Sequence, residues 1–194
     1  MRLACIGSRE VPSDVADACR EMGTELARTG YTIVTGATPG RQGQDEWADW
    51  EDGAFASGAW YADPARLVVC LPWLHFPRGS SGPPAGVKVA YAEEHPEWEA
   101  AAKQYWEEQL ASGAGEVGPW LEVRRAQRLR YTRSAGIVLQ SQLVLAWPGA
   151  EAEGTRFAMG FAEWRKTPLI DLSMTSWREV LAALLAQAGS ASAE

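Results

Sequence analysis

Three glycine-bearing loops carry the residue types best suited to holding an anion. The first loop follows an apolar stretch near the N-terminus and contains Gly7, Ser8 and Arg9. A glycine directly after a strand allows close approach to the backbone, a serine offers a hydroxyl, and an arginine offers a planar fork of donors that fits phosphate. The alternative is that Arg9 caps a neighbouring helix. The tripeptide predicts a phosphate contact that needs support from other loops.

The second loop runs from Thr35 to Asp45 and contains Gly36, Ala37 and Gly43. Its glycines would let successive amide N–H groups turn toward an anion. It has neither the Gly-x-Gly-x-x-Gly pattern nor the Gly-Lys-Ser/Thr ending of a Walker loop, which disfavours a dinucleotide dehydrogenase and an NTPase. Asp45 would orient a ribose or close its own loop by accepting from backbone amides, and a plain flexible turn is the alternative.

The third loop leaves an apolar stretch and enters a predicted helix at Gly154 and Thr155. Free amide groups and the positive end of the helix dipole both favour a phosphate at such a point. The alternative is that Thr155 is a simple helix cap. The three loops together predict a phosphate site far more specifically than any one of them.

Two further features would extend such a site. Five arginines lie on one predicted helix without an intervening acidic residue, namely Arg124, Arg125, Arg128, Arg130 and Arg133. Such a run is usually a solvated helix face, but here its end precedes a strand and would reach the loops. Trp73 follows another strand and would stack on a base. The two histidines are too far apart, and the cysteines are wrongly spaced, for a metal site.

Short apolar stretches alternate with amphipathic helices, which predicts a parallel sheet covered on both faces. The predicted strands are 2–6, 31–35, 67–71, 143–147 and 168–172, and the predicted helices are 13–29, 45–57, 95–110, 121–138, 154–165 and 176–187. The fold class is therefore α/β, a Rossmann-like, mostly parallel five-stranded sheet with an insertion between strands three and four. Ligands bind beyond the carboxyl ends of strands in such sheets, where the three loops would meet.

The length of 194 residues predicts one domain over 1–188, with a frayed tail over 189–194. The insertion, residues 73–120, combines a loop rich in proline and glycine with an acidic helix. The net charge of −7 disfavours a surface that coats nucleic acid everywhere but allows a local basic site. The three cysteines lie in apolar contexts, and neither a signal-peptide pattern nor a membrane-length apolar run occurs. We therefore expect reduced core thiols and a cytoplasmic protein that does not bind a membrane.

The loops together resemble those of the SLOG superfamily of Rossmann-like proteins, which includes the DprA/Smf DNA-processing proteins and the LOG cytokinin-activating hydrolases. The stretch Ile6 to Arg9 is similar to the opening glycine-serine-arginine motif of the DprA branch. Gly36-Ala37 with Gly43-Gln44-Asp45 resembles its Ser-Gly-x-Ala-x-Gly-x-Asp loop, with Thr35 in place of the serine and a short extension before Gly43. Arg133-Ser134 stands where the family has Arg-Asn, and Gly154-Thr155 matches its late Gly-Thr. The order of these motifs is typical of the superfamily rather than of one activity.

The resemblance to the DprA branch implies binding of single-stranded DNA or a nucleotide, a role in DNA recombination with a recombinase partner, and a homodimer. The LOG branch instead implies N-glycosidic hydrolysis of a nucleotide by a phosphoribohydrolase, through the glutamate of Pro-Gly-Gly-x-Gly-Thr-x-x-Glu. Ala158 occupies that glutamate position here, although Asp45 or Glu51 would be possible substitutes. The prediction leans against an enzyme, names no catalytic residue and no certain cofactor beyond a bound nucleotide, and leaves a small-nucleotide sensor as a further alternative.

Overall fold

The computed structural model describes residues 1–7, 12–36, 51–74, 76, 84–113, 118–149 and 153–191. Within these ranges the chain forms one parallel sheet of six strands in the order β4-β3-β2-β1-β5-β6. The strands are β1 (Arg2–Gly7), β2 (Thr32–Thr35), β3 (Leu67–Leu71), β4 (Lys88–Tyr91), β5 (Leu143–Trp147) and β6 (Leu169–Asp171). The Rossmann-like α/β class predicted from the sequence is confirmed.

Helices cover both faces of the sheet. They are α1 (Ser13–Arg28), α2 (Glu51–Ala62), α3 (Pro96–Ser112), α4 (Arg125–Leu139), α5 (Glu153–Arg165) and α6 (Trp177–Ala191). Successive side chains of a strand point to opposite faces, so Leu3 and Cys5 pack with α1, α2 and α6, whereas Ala4 and Ile6 pack with α3, α4 and α5. Two apolar cores therefore hold the sheet between two helical layers. No helix in the described ranges is long and apolar enough to span a membrane.

The prediction of five strands is wrong, because β4 forms within the segment that the sequence marks as a loop. Among the described strands β4 pairs with β3 alone, and its residues Val89 to Tyr91 are only half-buried. A short edge strand lacks the continuous apolar run that identifies the strands buried on both faces. The insertion lies between β3 and β5, and it contains this strand as well as the predicted acidic helix, α3.

The strand order places a topological switch point between β1 and β5. Strands β2, β3 and β4 follow one another on one side of β1, whereas β5 pairs with its other side. The carboxyl ends of β1 and β5 meet at Gly7 and Trp147, which are register partners. Open α/β sheets bind their ligands in the crevice at such a point. The first and third glycine loops leave the sheet there, and the second leaves from β2 beside it.

Helices α1 and α2 cross in backbone contact through two glycines. A Cβ atom at Gly58 would lie 2.1 Å from the carbonyl oxygen of Arg20, and one at Gly23 would lie 2.3 Å from that of Phe55. The hydroxyl of Thr24 donates to the carbonyl of Gly58 across the same crossing, at 3.3 Å. This close packing holds α2, the helix that follows the second glycine loop, against α1.

Some helix boundaries differ from those predicted. Serine is a common helix-capping residue, but Ser13 is the first helical residue of α1, and Pro12 stands at the cap without a side-chain hydrogen bond. The predicted start of α2, residues 45–50, lies outside the described residues, and the helix continues to Ala62 rather than ending at Ser57. Helix α6 runs four residues beyond its predicted end at Gln187. None of these shifts moves a residue of the candidate site to another element.

Candidate functional site

A threonine on α5 is tied to the end of β1. The hydroxyl of Thr155 donates to the carbonyl oxygen of Gly7 at 2.8 Å, and the side chain is buried. Helix α5 begins at Glu153, so Thr155 lies in its first turn and does not cap it. The bond joins residues 148 positions apart in the chain and crosses the switch point. It holds the amino end of α5 against the carboxyl end of the sheet.

The guanidinium of Arg133 lies on the end of β2. Its Nη1 atom donates to the carbonyl oxygen of Gly36 at 3.0 Å. A Cβ atom at position 36 would lie 2.8 Å from Cζ of Arg133, which is closer than unbonded atoms approach. Gly36 does not have a positive φ, so the glycine provides space rather than an unusual backbone conformation. The two residues that the sequence assigned to separate motifs are therefore in direct contact.

A buried hydroxyl lies immediately before Gly36. Thr35 is the last residue of β2, its side chain is fully buried, and its Oγ1 has no hydrogen-bond partner among the residues that the structure describes. Leaving a buried hydroxyl unpaired costs about 1–3 kcal/mol. Thr35 also stands in place of the motif serine. Its buried hydroxyl therefore lies at the point where β2 ends and the predicted binding loop begins.

The amino end of α5 is open next to Gly154. Gly154 is the second residue of the helix, and a Cβ atom there would meet no described atom within 4 Å. Packing against the described residues does not require a glycine at this position. The position therefore leaves room above backbone amides at the positive end of the helix dipole, as a phosphate contact would need.

An aromatic corner, consisting of Trp73 and Phe76, follows the end of β3. The two rings meet edge to face with centroids 4.7 Å apart, and both side chains are half-buried. The guanidinium carbon of Arg130 lies 6.0 Å from the Phe76 centroid. The turn is held by two bonds, from the Leu74 amide to the Glu93 carboxylate at 2.7 Å and from the Phe76 amide to the Trp73 carbonyl at 3.3 Å. A fixed turn thus presents aromatic rings beside a cation.

Four arginines, which we call the arginine cluster, lie at the start of α4. They are Arg124, Arg125, Arg128 and Arg130, and none forms an ion pair with any described residue. Elsewhere Arg20, Arg28 and Arg66 each pair with an acidic residue three positions earlier. The Nε atom of Arg128 is buried without a hydrogen-bond partner in the described part of the chain. The arginine cluster therefore gives a local positive potential to an acidic chain.

The sequence analysis missed a polar network between α4 and α5. Tyr131 donates its hydroxyl to Oε1 of Glu153, and Nε2 of Gln127 donates to the same oxygen at 3.2 Å and to the Tyr131 hydroxyl at 3.0 Å. Burial and, secondarily, the Glu153 carboxylate raise the pKa of Tyr131 above its ordinary value of 10. The ring stacks on Phe157 and lies against Trp106. The partners are 22 residues apart, and no local spacing indicates the contact.

The structure thus describes six of the predicted site residues, all at or beside the carboxyl edge of the sheet: Gly7, Gly36, Trp73, Arg133, Gly154 and Thr155. The other five lie outside the described residues and remain predictions: Ser8, Arg9, Ala37, Gly43 and Asp45. No cluster of metal-ligating side chains occurs within the described ranges.

Position 158, where the LOG hydrolases carry a glutamate, lies in the apolar core. Ala158 is fully buried and packs in the core under α3, α4 and α5. A carboxylate there would be desolvated without an evident partner. Of the two possible substitutes, Asp45 and the side chain of Glu51 lie outside the described residues. The described part of the site therefore holds no carboxylate at the hydrolase position.

No protein-family model matches the sequence, and no curated protein matches it. Among solved structures, DNA processing protein A from Helicobacter pylori, described for its unique single-stranded DNA binding mode, has a TM-score of 0.56 and 14% identity, covering 96% of this chain and 81% of that chain. A molybdenum cofactor binding protein from the phototrophic bacterium Rippkaea orientalis has a TM-score of 0.48 and 16% identity, covering 95% and 83%. The first likeness shows that this chain shares the Rossmann-like fold of a DNA processing protein A.

Proposed function

We propose that this chain is a DprA-like protein that holds the phosphates of single-stranded DNA or of a nucleotide at the carboxyl edge of its sheet. The contact between Arg133 and Gly36 carries the proposal. This contact holds the guanidinium of Arg133 at the end of β2, beside Gly36, which has no side chain. Arginine suits phosphate because its donors form a planar fork that can bind two oxygens at once.

The arginines of α4 favour a phosphodiester chain over a lone phosphate. Arg125 and Arg133 are eight residues apart on α4, which corresponds to about 12 Å along the helix. Cations spread over this distance would contact more than one phosphate. The aromatic corner supplies rings on which an unpaired base would stack. The Helicobacter pylori protein of the same fold is described as binding single-stranded DNA.

The remaining predicted residues take their proposed roles from the sequence. Ser8 and Arg9 follow β1, and Ala37, Gly43 and Asp45 follow β2, so both sets leave the edge that holds Arg133. We assign phosphate contacts to Ser8 and Arg9, backbone approach to Ala37 and Gly43, and ribose contact or loop closure to Asp45. The family resemblance further leads us to propose one domain over 1–188 and a cytoplasmic homodimer that acts with a recombinase in DNA recombination.

A small-nucleotide sensor remains the second candidate, because the open position at Gly154 would accept a single phosphate at the start of α5. Nucleotide hydrolysis has less support, since Ala158 lies in the apolar core.

Thermal unfolding against a ligand panel tests the proposal. The panel holds mono-, di- and trinucleotides, dinucleotide cofactors and short single-stranded oligomers, each with wild type, Arg133→Ala and the charge-matched surface variant Arg28→Ala. A ligand at about 100 times its dissociation constant adds about 2.7 kcal/mol, which raises the midpoint by about 5–10 °C for a chain of this length.

We expect oligomers to raise the midpoint of wild type and of Arg28→Ala but not that of Arg133→Ala. Binding to several phosphates should also weaken steeply with salt, whereas binding of a mononucleotide should depend on salt much less. A shift with mononucleotides alone would favour the sensor, and release of free base would favour a hydrolase. The absence of a shift with every ligand would contradict the proposal.

A further inference from the structure

The carboxylate of Glu153 is anchored through one of its two oxygens. Tyr131 and Gln127 both donate to Oε1, and no described residue donates to Oε2. The Glu153 side chain is exposed, whereas the tyrosine that holds it is buried. A carboxylate oxygen accepts hydrogen bonds but donates none. Glu153 therefore presents one acceptor of fixed position to the outside of the protein.

This acceptor lies beside the candidate phosphate site. Glu153 is the first residue of α5 and directly precedes Gly154, and Thr155 binds the end of β1. The two anchoring side chains are on α4, the helix that also carries Arg133. On α4, residues 131 and 133 are about 200° apart around the axis, so the anchor and the cation leave the helix on opposite sides. Arg133 contacts the end of β2, and Thr155, two residues after Glu153, contacts the end of the neighbouring strand β1, so the cation and the acceptor lie near the ends of adjacent strands.

We propose that Oε2 of Glu153 accepts a hydrogen bond from a neutral donor of a bound nucleotide unit, a sugar hydroxyl or a base amino group. This inference rests on the proposed function. A phosphate would be repelled by the carboxylate and drawn to Arg133, so the two groups would orient the nucleotide between them. Tyr131 and Gln127 are positioning residues, because they hold the carboxylate and need not touch the ligand.

Glu153→Gln is a sharp test of this assignment. The glutamine keeps a carbonyl oxygen for Tyr131 and Gln127, but its amide nitrogen replaces the outward acceptor with a donor. The control Glu163→Gln makes the same charge change on the same helix, about 15 Å further along. The probes are adenosine monophosphate and inorganic pyrophosphate, with affinities measured by calorimetry on the full chain.

We expect Glu153→Gln to weaken adenosine monophosphate binding at least about 10-fold, the usual cost of losing a hydrogen bond to a charged group. Pyrophosphate, which has no such donor, should bind the variant as well as or better than wild type. Tyr131→Phe should show a smaller loss of the same selectivity. The 2′,3′-dideoxy analogue and the purine analogue without an amino group identify the donor, because binding of the analogue that lacks the donor no longer depends on Glu153.

Equal binding of adenosine monophosphate by Glu153→Gln and Glu163→Gln would overturn the assignment while leaving the proposed function intact. Failure of wild type to bind adenosine monophosphate would also overturn it. The proposed function is tested separately, by the binding of oligomers to wild type and to Arg133→Ala.

Discussion

The guanidinium of Arg133 fills the space in which a side chain at position 36 would lie. Its Cζ atom would be 2.8 Å from a Cβ there, and its Nη1 atom binds the Gly36 carbonyl at 3.0 Å. These residues are 97 positions apart in the chain. The glycine at the end of β2 therefore determines where the cation lies, and both residues belong to one structural unit of the site.

Gly36→Ala should displace Arg133 without unfolding the protein. The atoms that would clash belong to the flexible end of the arginine, and the backbone at position 36 does not have a positive φ. We expect a free energy of unfolding within about 1 kcal/mol of wild type and a loss of oligomer affinity close to that of Arg133→Ala. Chemical denaturation and fluorescence anisotropy check the two expectations. Normal affinity in Gly36→Ala would show that the contact does not position the cation for binding.

Replacing Thr155 by valine should lower the free energy of unfolding by about 0.5–1.5 kcal/mol, because the partly buried hydrogen bond to the Gly7 carbonyl is lost. The matched control is Thr132→Val on α4. The Thr132 hydroxyl is equally buried and has no partner among the described residues, so its removal should be neutral or stabilising. Urea denaturation of both variants measures the difference. Equal effects would contradict the assigned role of the bond between Thr155 and Gly7.

The crossing of α1 and α2 should not accept a methyl group. Gly58→Ala places a Cβ 2.1 Å from a backbone oxygen, so the helices must move apart. We expect a destabilisation of about 1–3 kcal/mol, the usual cost of overpacking. Gly189→Ala on α6 is the control, since a Cβ there meets no described atom within 4 Å. A thermal midpoint for Gly58→Ala as high as that of Gly189→Ala would be inconsistent with the close crossing.

The protein should lose stability at alkaline pH. Burial raises the pKa of Tyr131, and it also raises the pKa of Tyr31 and Tyr105. Above pH 10 the unfolded chain releases these phenolic protons before the folded chain does, so the free energy of unfolding falls as pH rises. Tyr131→Phe should make this decline shallower. Parallel pH profiles for the variant and wild type would refute the contribution of Tyr131.

The three thiols should be unreactive in the folded protein. Cys5, Cys19 and Cys70 are buried, and burial raises the pKa of Cys70 to about 12. The thiolate is the reactive form, and buried thiols lack both this form and access to reagent. A thiol reagent should therefore label all three only in denaturant. Fast labelling of one thiol in native buffer would argue against this packing.

The sequence predicted the central strands most accurately, because burial on both faces leaves a continuous apolar run. The bounds of β3 and β5 match their predicted residues, whereas β4 was missed because an edge strand has no such run. The motifs also predicted that the arginine-bearing helix, which carries Arg133, would reach the loop that contains Gly36. Their direct contact could not be predicted, nor could the anchoring of Glu153 by Tyr131, because both depend on how α4 packs against the sheet and against α5.

The measurement that tests the central claim most directly is the affinity of a labelled single-stranded oligomer for wild type, Arg133→Ala and Arg28→Ala at low and moderate salt. We expect wild type and Arg28→Ala to bind alike and Arg133→Ala to bind about 10-fold more weakly or worse, with affinity falling as salt rises. If Arg133→Ala bound the oligomer as tightly as Arg28→Ala does, phosphate binding at the carboxyl edge of the sheet would be contradicted.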